Sequence, residues 1–254
     1  MNRLKVATAI TVGLVFVHVR GSAQTAISSL PYTIDAAGVY VLNQSLRYPF
    51  GTGNAITVKA TNVTINLNGY GIINTSDQTK TNATSIYANN IENLTVENGE
   101  IFGFWIGIHL AGPSSGLSFN AGHILQGLRL AYCGNVGIFL DFASNCLIQN
   151  CQLSWIGITG GGVQINNNAA GIFVQSLTGG NRIYRCQVLR ATGDGFFARA
   201  SGAQGSYLEQ NLATSCAFGF VFEDGVDAYR DNASFGCTGG AFLLGNDFGG
   251  NHSQ

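Results

Sequence analysis

Four side chains carry groups fit for acid–base chemistry: Asp194 within Gly193-Asp-Gly195, then Arg199, Glu223 and Asp224. Glycoside hydrolysis takes two carboxyl groups ~5–9.5 Å apart across a groove. β-Elimination takes a base, often Arg or Lys, with the substrate carboxylate neutralised. Each candidate also has a plainer reading. An Asp between glycines is a turn former, because its side chain caps the turn and glycine supplies positive φ. Arg182, Arg185, Arg190 and Arg199 crowd one stretch, and Glu209, Glu223, Asp224, Asp227 and Asp231 follow it. Equal offsets set Arg199 beside Glu223 and Glu209 beside Arg230, so cross-strand ion pairing accounts for those four without a substrate.

Aromatic side chains are the candidates for ligand contact. Phe139, Phe173 and Phe197, continued by Val221 and Phe242, recur at one position of a repeated segment. An outward stripe of this kind marks a ligand groove, a partner or a covering loop. Trp105 and Trp155 stand in identical Trp-Ile-Gly-Ile contexts at 105–108 and 155–158, which suggests one repeated turn position. The six cysteines contain no Cys-x-x-Cys, and His109, His123 and His252 are scattered, so no metal site and no cofactor are expected. Cys151/Cys186 and Cys216/Cys237 fall at equal offsets in neighbouring repeats. Stacked ~4.8 Å apart they could be bridged, but a ladder of free thiols is the preferred reading.

The chain that positions these groups has 254 residues, 35 of them Gly, with 10% charged and 11% aromatic residues and a mean hydropathy of +0.19. Glycine is at about twice its usual share without a collagen period, and the apolar content rules out disorder. Arg3 and Lys5 precede an apolar run, Val6–Val17, and the small residues Gly21-Ser22-Ala23. That run is too short to span a bilayer and reads as an export signal over 1–23. Without residues 1–23, nine basic face thirteen acidic side chains, net −4. This balance argues against nucleic acid as a partner, and no membrane span is expected.

Self-similarity decides the architecture. Gly137-Ile-Phe-Leu-Asp141, Gly171-Ile-Phe-Val-Gln175, Gly195-Phe-Phe-Ala-Arg199, Gly219-Phe-Val-Phe-Glu223 and Gly240-Ala-Phe-Leu-Leu244 recur at intervals of 34, 24, 24 and 21 residues. An insertion at 159–169 accounts for the long interval. A second element follows each of the first four copies, as in Leu147–Leu153 and Arg182–Val188. Short strands at a period of ~20–25 residues with no helix between them indicate a solenoid of β-coils. Residues one and three after the glycine point inward and the second outward. Asn211 and Asn232, with Cys151 and Cys186 below them, read as an asparagine ladder satisfying buried bend amides.

With Asn62-Val-Thr-Ile-Asn-Leu-Asn-Gly69 and Asn93-Leu-Thr-Val-Glu-Asn-Gly-Glu-Ile101, these units resemble the right-handed parallel β-helix proteins of the pectin-lyase-like superfamily. The resemblance implies an all-β, single-stranded right-handed parallel β-helix and a range of polysaccharide lyases, glycoside hydrolases, epimerases, phage-type tail proteins and exported proteins of unknown role. The Asn-Thr-Asp, Asp-Asp, Gly-His-Gly and Arg-Ile-Lys motifs of polygalacturonases do not occur here. The expected organisation is a signal over 1–23, an N-terminal cap over 24–52 and the helix over 53–254. The expected function is noncatalytic binding of a glycan or cell-surface component by an exported protein, periplasmic or extracellular. The alternatives are a lyase or hydrolase, and a structural module that assembles into a homo-oligomer through the Phe stripe or the C-terminal coil. Loops 74–85, 111–123 and 159–170 are the segments expected to shape a groove.

Overall fold

The computed structural model describes residues 23–113, 120–176, 179–200 and 205–254. The proposed signal and the middle of the 111–123 loop lie outside the described residues. Everything described is strand, bend or turn, and the strand pairings are all parallel apart from one isolated bridge, Ile158 to Gln164. The fold is a parallel β-helix.

Each coil contributes one strand to a nine-stranded sheet, running from Tyr32–Ile34 to Gly240–Leu243. The rest of the coil supplies two strands to a seventeen-stranded sheet that folds round a bend. In mid-molecule those two strands fuse, as Leu94–Phe102 and Ile124–Ala131, and pass through the bend without a break. Residues 24–48, expected as a cap, supply four strands that pair in parallel with the coils above them.

Three columns of left-handed residues make the corners. One holds Asn62, Asn93, Gly122, Asn145 and Gly180. The second holds Asn98, Gly127, Asn150, Arg185, Gln210 and Asp231, and the third Gly103, Tyr132, Trp155, Arg190, Ser215 and Gly236. Asn and Gly dominate because they enter this region at least cost. Tyr, Trp and Arg tolerate it where the stack above and below fixes the bend.

The inward assignment of the repeats holds. Ile56, Ile86, Ile108, Ile138, Ile172, Phe196 and Phe220 form one in-register column, every member buried. Phe196, Phe220 and Phe242 stack at centroid distances of 4.7 and 5.0 Å. This corrects the last repeat. Gly240 pairs with Phe218, not Gly219, so Phe242 belongs to the inner column and Leu243 follows Val221 outside. The repeat glycines serve space and not conformation: a Cβ on Gly171 would lie 2.6 Å from the Gly195 carbonyl oxygen and 2.5 Å from Val188.

The asparagine ladder is present and one rung longer than the sequence suggested. Asn211 Oδ1 accepts from Cys186 N at 2.9 Å, Asn232 Oδ1 from Asn211 N at 2.9 Å, and Asn251 Oδ1 from Asn232 N at 2.9 Å. The Asn232 amide also donates to Leu208 O at 3.0 Å. Replacing Asn232 by Ala strands buried amide and carbonyl groups, an expected loss of about 2–3 kcal/mol. Urea unfolding would show it, and Asn251→Ala, at the half-buried end of the ladder, should cost under about 1 kcal/mol in the same assay.

Candidate functional site

The outward column of the nine-stranded sheet is longer than its three phenylalanines. In-register pairing sets Tyr87, His109, Phe139, Phe173 and Phe197 one above another. The centroid spacings from His109 upward are 4.8, 4.7 and 4.6 Å, with interplanar angles of 11°, 9° and 28°. Tyr87 meets His109 edge-on at 5.4 Å. The faces of the inner rings are therefore spent on one another, and what the ladder offers outside is a wall of ring edges. Such edges carry partial positive charge and suit oxygen acceptors better than flat stacking. His109 is also fixed from the side, with Nε2 3.2 Å from Asp141 Oδ2 one rung on.

Beside this wall lies a cleft of about 390 Å³. Phe139, Phe173 and Phe197 form one side, Asn135, Asn167 and Asn168 another, and Asp194 lies at its edge. The amide side is built by the 159–169 insertion, whose Asn166 amide donates to Asn135 Oδ1 at 2.7 Å. Asn166 Oδ1 in turn accepts from Asn168 N at 2.9 Å. Asp194 begins its strand, its N–H bonded to Ala169 O at 2.9 Å. Gly193 permits this approach, because a Cβ there would lie 2.4 Å from the same oxygen. Burial first, and the charge of Glu223 second, push the Asp194 carboxyl up to about 6. A cleft with amides, one partly protonated carboxyl and aromatic edges can exchange hydrogen bonds with polyhydroxylated ligands.

The four catalytic candidates do not form one cluster. Asp194 pairs in register with Phe218 at the start of Phe218–Phe222, and Glu223 follows the other end of that strand, close enough for its charge to bear on Asp194. Arg199 Nε holds Glu223 Oε2 at 2.9 Å in an exposed pair. Asp224 sits on another turn, close to Asp227. Glu209 and Arg230 do align, but Glu209 takes Arg182 at 3.9 Å and Arg230 takes Asp231 at 3.1 Å.

The two tryptophans occupy different places, which corrects the reading of one repeated turn. Trp155 is a left-handed corner residue, stacked on Tyr132 at 5.9 Å with the Arg190 guanidinium 4.2 Å over its ring. The corner residue of the earlier coil is Gly103. Trp105 lies two residues beyond it, its ring beside Gly134 and near Ile165 of the insertion.

Tyr87, His109 and Asn135 are the cleft and ladder residues that sequence reasoning missed, whereas Asn167 and Asn168 belong to the 159–170 loop expected to shape a groove. A signal for two of them exists: Gly107-Ile-His-Leu110 and Ser85-Ile-Tyr-Ala88 copy the Gly-Ile-Phe-Leu unit with the outward residue or the glycine exchanged. His123 has a structural place. It is buried, which lowers it to about 4, and its neutral ring accepts from Leu94 N at 3.1 Å. Among the described residues, no group of three or more His, Cys, Asp or Glu could hold a metal ion.

No family model matches the sequence, and no curated protein matches it. Three solved structures are similar in fold. The catalytic domain of a GH87 alpha-1,3-glucanase, in complex with tetrasaccharides, gives a TM-score of 0.43 at 10% identity over 91% of this chain and 63% of that one. A GH136 lacto-N-biosidase from Eubacterium ramulus gives 0.39 at 8% over 91% and 60%. The A-module of the Azotobacter vinelandii mannuronan C-5 epimerase gives 0.35 at 8% over 92% and 87%. The chain spans about three fifths of the length of the first two.

Asp194 and the buried Asp227 are both pushed up to about 6, chiefly by burial. A carboxyl that holds its proton more tightly folded than unfolded stabilises the protein below its ordinary value near 4. That contribution disappears as pH rises through about 6. The difference in unfolding free energy between wild type and Asp227→Asn should therefore fall from pH 4 to pH 7. Parallel pH curves would refute the assignment.

Proposed function

We propose that this chain is an exported, noncatalytic protein that binds a glycan in the cleft between the phenylalanine ladder and the 159–169 insertion. The observation that carries the reading is the composition of that cleft: three ring edges, three asparagine amides and one half-buried carboxyl around about 390 Å³. The amides and Asp194 would exchange hydrogen bonds with hydroxyl groups, and the ring edges would line the apolar side. Asp194, ionised above about 6, disfavours an anionic sugar at that position and favours a neutral one. Export is supported by the leader-like sequence of residues 1–23. No helix among the described residues is long and apolar enough to cross a membrane.

One observation favours the second reading, a polysaccharide lyase or glycoside hydrolase. A carboxyl held at about 6 in a cleft has the protonation a general acid needs. The argument against it is that Asp194 is the one carboxyl among the described residues lining the cleft, and the nearby Glu223 is held by Arg199.

A panel of neutral and acidic polysaccharides, scored for both retention and product release, separates the two. Retention without new ends is the expected result. Asn168→Ala and Phe173→Ala should each weaken retention about tenfold while circular dichroism stays unchanged, since one good polar or apolar contact is worth about 1.4 kcal/mol. Release of reducing or unsaturated ends, abolished by Asp194→Asn, would replace binding with catalysis.

A further inference from the structure

At the third corner the stack of flat side chains stops part of the way along the helix. In-register pairing sets Tyr132, Trp155, Arg190, Ser215 and Gly236 at one position of successive coils, all at positive φ. Tyr132 and Trp155 stack at 5.9 Å with their planes 5° apart, and the Arg190 guanidinium lies 4.2 Å over the indole. The next two coils offer only a hydroxymethyl group and a hydrogen. Apart from its chain neighbours, a Cβ on Gly236 would have one described atom within 4 Å, Ser215 Oγ at 3.8 Å.

A cleft of about 450 Å³ opens at this break. Arg190, Ser215 and Gly236 line it and Trp155 does not, so the guanidinium covers the indole and closes that end of the cleft. Ile158 and Ala217 add apolar surface, and Gln164 and Thr238 add an amide and a hydroxyl. Arg129, Arg182, Arg199 and Arg230 each pair with a carboxylate. Arg190 has no such partner among the described residues. The cleft shares no lining residue with the one at Asp194, so it can be tested whether or not that cleft holds a glycan.

We propose that this cleft binds a small phenol, whose ring continues the Tyr132–Trp155–Arg190 stack at the level of Ser215. Each rung is ~4.8 Å deep, enough for one flat ring on the guanidinium. The charge of that platform selects the kind of ring. An aromatic face is electron-rich and is attracted to a cation over it. A sugar ring offers C–H groups of partial positive charge, which gain nothing from a guanidinium. The phenolic hydroxyl exchanges hydrogen bonds with Ser215, Thr238 and Gln164, whose hydroxyl and amide groups both donate and accept. Ile158 and Ala217 meet the ring carbons.

Ligand-observed NMR titrations of the full chain with phenol and with cyclohexanol, its saturated counterpart, test this. Phenol should bind about tenfold tighter than cyclohexanol, and neither methyl glucoside nor acetate should displace it. Arg190→Gln should weaken phenol about tenfold and leave cyclohexanol unchanged, the worth of one desolvated cation–π contact. Ser215→Tyr sets the chain's own ring at the vacant rung and should abolish phenol binding. Tyr132 and Trp155 show that this corner accepts such rings at positive φ. Equal binding of phenol and cyclohexanol, displacement by acetate, or phenol binding unaltered in either variant would overturn the proposal. So would tighter binding of N-acetyltyrosinamide than of phenol, which would assign the cleft to a tyrosine of another protein. If Ser215→Tyr does not fold, Arg190→Gln and the cyclohexanol comparison decide.

Discussion

Parallel, in-register hydrogen bonding between successive coils is the constraint from which the rest follows. It fixes a rung spacing of ~4.8 Å, and at that spacing each side chain meets its equivalent in the next coil. Like must then suit like. Isoleucine sits on isoleucine, phenylalanine on phenylalanine, amide on amide, and a residue that cannot tolerate its own neighbour disrupts two interfaces. The interior columns from Ile56 to Phe220 and the Asn211–Asn232–Asn251 ladder are the same device with different chemistry. Stacking also explains why corners can hold Tyr132, Trp155 and Arg190 at positive φ. The local strain of ~1–2 kcal/mol per residue is small beside the pairing on both sides.

That regularity restricts where a ligand can be met. Along a straight face the outward rings consume one another, so the His109–Phe197 column shows edges and no free faces. Recognition surfaces arise where the period is broken, and the 159–169 insertion is the break. It folds back through Asn166 to Asn135 and reaches Gln78, whose Oε1 accepts from Gly160 N at 2.6 Å. One side of the insertion walls the Asp194 cleft with Asn167 and Asn168. The other side, through Gln164, walls the cleft beside Arg190 and Cys216. A single departure from the repeat thus creates two concave surfaces of opposite character, one with a carboxyl and one with a guanidinium. The further chain end is also irregular, with Leu244 and Phe248 largely exposed on the last coil.

The fold was legible because the solenoid writes itself into the sequence as a period. Glycine followed by apolar, aromatic, apolar residues gave the inward and outward faces of four coils correctly, and equal offsets located the Arg199–Glu223 pair and the asparagine ladder. The final coil misled by one residue, since Gly240 looks like the repeat glycine while the register follows Phe242. Equal offset also failed to predict ion pairing for Arg230, because an adjacent Asp231 on the same strand end is nearer than Glu209 across the rung. The Trp-Ile-Gly-Ile match failed for a related reason: the two segments enter their coils two residues apart.

The residues alone determined what repeats: strand length, face, core columns, the bends that require Asn or Gly, and the absence of a thiolate–histidine metal pattern. The tertiary structure decided what does not repeat. Only the tertiary structure brings Asp194 into one cleft with Asn135 and Asn168 while Glu223 is held by Arg199, or shows Cys237 half-buried where Cys186 is sealed. Periodicity constrains neighbours one coil apart. A site built by an insertion depends on how that segment folds across several coils, and no local pattern encodes that path.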